Sequence, residues 1–134
     1  MEQYLGTIKL FAGNFAPRGW AFCHGQLLPI NENHAVFSIL GTTYGGNGTT
    51  TFALPDLRGR VPMGAGAGNG TELSVALGQR LGSETSTLTS ANATAGAGGE
   101  TVAVASDQPH PNQQPYLGLN FIICLQGLYP PRHY

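Results

Sequence analysis

Charge is scarce in this chain. Its 134 residues hold 6 Lys and Arg against 7 Asp and Glu, a formal net charge of −1. So few cations leave no basic footprint to neutralise a run of phosphates, and no nucleic-acid binding is expected on that ground. Long apolar runs are also lacking. The longest, Leu117–Leu125, is under half the ~20 residues of a bilayer-spanning helix and is interrupted by Asn120, so no membrane insertion is expected. Two cysteines, Cys23 and Cys124, are too few for a disulfide framework. Both stand in apolar runs, where a thiol behaves as a small hydrophobe, so free buried thiols are expected, with a Cys23–Cys124 bridge as the alternative. Glu2 stands where a leader would be basic and Lys9 breaks the first apolar stretch, so no Sec signal peptide is evident. No Gly-x-Ser-x-Gly elbow, P-loop or zinc-ligand cluster occurs, and no catalytic residue, metal site or cofactor is assigned. A carbohydrate-active enzyme, whose two carboxylates can lie at any sequence separation, is the least favoured reading.

What is plentiful is glycine. With 20 Gly and 9 Pro between short apolar runs, the chain reads as turns joining strands, and the expected class is α+β, β-rich. Its length suits one domain, 1–134, divided into a core half (1–60), a small-residue-rich variable segment (61–111) and a last strand with its tail (112–134). Gly6–Ala12 alternates Ile8 and Leu10 against Thr7, Lys9 and Phe11, predicting a half-buried first strand. Trp20–Cys23, His24-Gly25 and Gln26–Leu28 predict a two-residue hairpin, with His24 solvated at its tip. The spacing predicts one short helix over 31–40, with Asn31 as cap, Val36, Ile39 and Leu40 on one face, and Gly41 just past the end. It is too short to persist alone and needs the sheet beneath it.

From Val61 to Pro111 Gly, Ala, Ser and Thr dominate and aromatics are missing, so this extended segment builds no core of its own. Leu73–Leu77, Thr85–Thr89 and Thr101–Ala105 read as weak strands within it. Asn-x-Thr triplets at Asn47, Asn69 and Asn92 match glycan acceptors, but no secretory signal supports their use. Leu117–Leu125 is the strongest strand, apolar on both faces and so expected at a sheet centre with Asn120 hydrogen-bonded internally or at an interface. The tail beyond it, Tyr129 to Tyr134, is expected to be a free end or a strap docked on a neighbour. Its Tyr129, Arg132 and Tyr134, with His110, are candidate interface residues.

The densest information lies in Gly41–Arg60. Gly45, Gly46 and Gly48 surround Asn47 in a tight turn, Thr49–Leu54 reads as a short strand, and Pro55 ends it. Asp56, Arg58 and Arg60 then place three charges within five residues. Two readings compete: the charges pin a loop whose backbone groups a turn leaves unpaired, or an arginine fork projects to grip an anionic partner.

GWAFCHGQLLPI at Gly19–Ile30, FSILGTTYGGNGTTTFALPDLRGRVP at Phe37–Pro62 and QPYLGLNFIICLQGLYPPR at Gln114–Arg132 resemble the phage tail-collar domain family, including bacterial microcystin-dependent proteins. The resemblance implies a compact collar-like fold and a non-enzymatic fibre subunit. Such a subunit would self-assemble, with a trimer favoured over a filament, and would contact a cell-surface glycan or a tail or baseplate protein. The implied setting is a virion, a phage-tail-like particle or an extracellular appendage. A homopolymer forming an extracellular filament is the alternative. Short tail fibres of the family bind a metal through a His-x-His pair from each of three chains. After Thr87-Leu88-Thr89 this chain has Ser90–Thr94 with no histidine, so that site is not carried over, and His110 stands alone.

Overall fold

The structure, a computed structural model, describes residues 2–67, 74–82, 85–87, 109–111 and 114–132. The chain divides into two units, Met1–Gln79 with Gly118–Tyr134, and Arg80–Leu117. In chain order the elements are strands β1 (Ile8–Phe11), β2 (Trp20–Phe22) and β3 (Leu27–Pro29), a 3₁₀ turn at Ile30–Glu32, helix α1 (His34–Leu40), and strands β4 (Thr51–Ala53), β5 (Gly66–Ala67), β6 (Ser74–Val75), β7 (Thr85–Thr87), β8 (Pro109–Pro111) and β9 (Asn120–Cys124). Strand-rich with one short α-helix among the described residues, the fold is of the expected α+β, β-rich class.

The first unit is built around β9. This strand pairs antiparallel with β1 on one side and β2 on the other, in the order β1-β9-β2. Its Ile123 is buried on one face while Ile122 and Cys124 are buried on the other, the pattern of a strand covered on both sides. It is shorter than predicted, since Leu117 and Leu119 precede it and are exposed, Leu117 at 83%. A second antiparallel pair, β3 with β4, carries Phe52 into the core, and α1 lays Val36 and Leu40 over it. The Phe37 ring meets that of Phe52 at 5.5 Å between centroids.

Three expectations are corrected. Trp20–Leu28 is not a hairpin: β2 joins β9 and β3 joins β4, so His24-Gly25 is a crossing between two sheets, with Gly25 at φ 72°. Ile8 and Leu10 do not reach the core. By register they share a face with buried Ile123, but β1 is the sheet edge and the core ends before it, leaving Leu10 58% exposed. The helix begins later than Asn31. Ile30–Glu32 forms a 3₁₀ turn instead, and Asn33 takes the cap position with its side-chain amide donating to the Pro29 carbonyl at 3.0 Å. Gly41 ends it at φ 58°, as its position implied.

Cys23 and Cys124 are free and buried, which sets aside the bridge. Burial pushes the Cys23 thiol up to about 11 and raises Cys124 as well. The last turns strap back onto the start of the same chain: Leu5 N–H donates to Leu128 O at 2.8 Å, Leu128 N–H to Gln3 O at 2.9 Å, and Tyr129 Oη meets Ser38 Oγ at 2.8 Å.

In the variable segment β5 pairs with β6, and Gly78 lies against Thr43. In the second unit β7 pairs with β8, setting Ser86 opposite His110. Of the three residues of β8 only His110 carries an N–H, so the two prolines restrict what that strand can donate. Leu73, Leu88, Thr89 and the expected strand Thr101–Ala105 lie outside the described residues.

Candidate functional site

Leu54–Arg60 follows β4 and is stitched to the crossing at Cys23–Gln26. Leu54 N–H donates to Gln26 O at 3.0 Å, Gly25 N–H to Pro55 O at 3.2 Å and Leu57 N–H to Cys23 O at 2.9 Å. His24 and Asp56 thus face each other across an isolated antiparallel bridge. Gln26 fixes the crossing: its Nε2 donates to Phe22 O at 2.8 Å, and its Oε1 accepts from His24 N–H at 3.1 Å. The His24 ring is half-buried and stacks on Phe22, centroids 5.0 Å apart and planes 17° from parallel, so it is not a solvated turn tip.

Asp56 and Arg58 form a fork-to-fork ion pair. Arg58 Nε donates to Asp56 Oδ1 and Nη2 to Oδ2, both at 2.9 Å, and Arg58 N–H adds a bond to Oδ1 at 3.2 Å. The side-chain hydrogen bonds from Arg58 hold the carboxyl far below the usual carboxylate range, aided by the charges of Arg58 and Arg60, while the same pairing raises Arg58. Asp56 is 26% exposed and Arg58 62%, so the pair sits at the surface, its acidic end tucked against Gly25. The next residues turn sharply at Gly59, φ 66°, closed by Arg60 N–H to Leu57 O at 3.2 Å. Among the described residues the Arg60 side chain has no ion-pair partner.

A cleft of about 60 Å³ opens beside this loop. Cys23 and His24 line it, with Leu57–Gly59 and Leu119–Phe121. Asn120, at its edge, is hydrogen-bonded internally through Nδ2 to Gly13 O at 2.7 Å. The other candidates lie elsewhere. Tyr129 is on the strap, Arg132 is exposed beyond it, His110 is in β8 of the second unit, and Tyr134 is outside the described residues. Among the described residues no three His, Cys, Asp or Glu gather to hold a metal, and no helix is long and apolar enough to cross a membrane.

Sequence reasoning placed Asn47 in the tight turn but missed what its side chain does there. Its Oδ1 accepts three backbone N–H groups, from Thr49 and Thr50 at 2.8 Å and from Thr51 at 3.0 Å, and its Nδ2 donates to Thr50 Oγ1 at 2.9 Å. The signal was present as an asparagine before consecutive threonines, the composition of a side-chain-closed turn.

This geometry occupies the stretch in which known proteins match the chain. Residues 6–62 fit the family described as Phage Tail Collar Domain. Over that stretch the chain is similar to phage tail collar domains. It is also similar to the Short tail fiber protein gp12 of Enterobacteria phage T4, 36% identical over 66 residues that cover 48% of this chain and 12% of that protein. The matched segment contains β1 to β4, α1, the Asn47 turn and the Asp56–Arg58 loop. It does not contain β9, so both outer strands of the three-stranded sheet lie in the matched segment and their common partner lies outside it.

Proposed function

We propose that the chain is a non-enzymatic structural and binding module of a phage-tail-like fibre, associated with the virion or a related particle. It assembles with copies of itself, a trimer being favoured, and contacts a tail protein or a cell-surface glycan. The collar match at 6–62 carries this reading, joined by the likeness to a short tail fibre protein. Support for self-association comes from the segment after the loop. Val61 is 84% and Met63 63% exposed, and Leu77 is exposed as well, aliphatic surface that water covers in a lone chain and a neighbour could cover instead. Light scattering on purified protein at micromolar concentration tests it. A trimer mass is expected, and a stable 14.0 kDa monomer would sink the assembly reading. A filament would instead give a mass that climbs with concentration. Elemental analysis of the same sample should find no stoichiometric zinc or iron. One metal per trimer, lost in His110→Ala, would show a threefold imidazole site.

A further inference from the structure

The cleft beside the start of β9 has walls that backbone bonds hold in place. Cys23 N–H donates to Phe121 O at 2.9 Å, Leu57 N–H donates to Cys23 O at the same distance, and the Asp56–Arg58 fork fixes the turn that follows. Its lining residues include donors without a hydrogen-bond partner among the described residues. Arg58 uses Nε and Nη2 on Asp56 and keeps Nη1, while the Gly59 N–H and the His24 imidazole make no hydrogen bond there. Asp56 offsets the charge of Arg58, and Arg60, outside the lining, lies near enough to Asp56 to act on its carboxyl. Asn120 Oδ1, the oxygen of an amide whose nitrogen is turned to Gly13, stands beside them as an acceptor.

We propose that this cleft takes one carboxylate group, of the kind an acidic sugar carries, with Arg58 Nη1, Gly59 N–H and His24 as its donors. At about 60 Å³ the cleft has the volume of roughly two waters, enough for a carboxylate but not for a sugar ring. The ring would rest outside, against exposed Leu119, with a neighbouring hydroxyl donating to Asn120 Oδ1. An arginine already aligned by a carboxylate partner loses little freedom on binding another, which favours a fixed cleft over a mobile side chain. This deepens the reading of the chain as a surface-contacting module and rests on it.

The test is an NMR titration of the ¹⁵N-labelled full chain with sodium glucuronate, with glucose and sodium chloride at matched ionic strength as controls. Saturable shifts at the Arg58, Gly59 and Asn120 amides are expected with glucuronate alone. Binding should weaken about tenfold or more in Arg58→Gln, the loss of charge-assisted hydrogen bonds. That variant also strips Asp56 of its partner, so His24→Gln, which leaves the fork intact, serves as the second and should weaken binding severalfold. Sodium acetate separates the sources: equal affinity means that the carboxylate alone is read, as an acidic protein side chain would also present it, and tighter glucuronate means that the sugar contributes. No saturable shift, shifts equal to those with chloride, or shifts confined to other amides would overturn the proposal. A trimer in light scattering with no glucuronate shift would remove this site and leave the assembly reading standing.

Discussion

Asn47 sits on the surface, yet it organises the turn that launches β4, because one carbonyl oxygen collects three N–H groups that the reversal would leave to water. Asn47→Ala should lower stability by roughly 1–2 kcal/mol, by analogy with a lost helix cap, whereas Asn47→Asp keeps the acceptor and should stay within about 0.5 kcal/mol in urea unfolding. We take Asp56 and Arg58 to be structural as well. The folded value of Asp56 lies below its unfolded one, so its stabilisation is whole above about pH 4 and drains away as the pH falls further. The urea midpoint should therefore drop more between pH 5 and pH 2.5 in the natural protein than in Asp56→Asn, and parallel drops would refute a structural role. For Cys23, with a thiol lifted to about 11, labelling by a thiol reagent at pH 8 should follow global unfolding. At this scale the sequence marked the charged cluster, because charge is so rare in it. It hid the partner of each charge, because an Asp two residues from an Arg can pair with it or with anything else the fold brings near.

Elements were legible where local spacing decides them and illegible where distant pairing does. The helix and its terminal glycine follow from i, i+3, i+4 spacing. β4 follows from β-branched residues stopped by proline. The supposed hairpin at Trp20–Leu28 failed because apolar runs around a glycine look alike whether the strands pair with each other or part to different sheets. Ile8 and Leu10 failed because alternation reports which residues share a face and says nothing of how far the core extends beneath it. The glycine turn ahead of β4 permits a direct test. Gly46 stands at φ 93°, and a Cβ there would collide with the Phe52 backbone, so Gly46→Ala should destabilise by roughly 2 kcal/mol or more. Gly64 has open space and no positive φ, and Gly64→Ala should be neutral or slightly stabilising in the same thermal melts.

At the scale of the molecule, β9 and the strap behind it complete the sheet that β1 and β2 begin. Truncation before Leu128 removes two backbone bonds to Gln3 and Leu5 and the Tyr129–Ser38 contact, so it should lower the melting temperature, while truncation after Pro130 should not. The sequence foretold the central strand from its apolar faces but could not show which strands flank it, since neither β1 nor β2 is near it in the chain. That separation also sets the timing of folding. A ribosome finishes β1, β2, α1 and β4 before β9 emerges, so the segments of β1 and β2 lack their common partner until β9 itself has been made. The sheet closes only by long-range capture, which makes folding slow relative to a chain of local contacts and leaves those segments unpaired in the meantime.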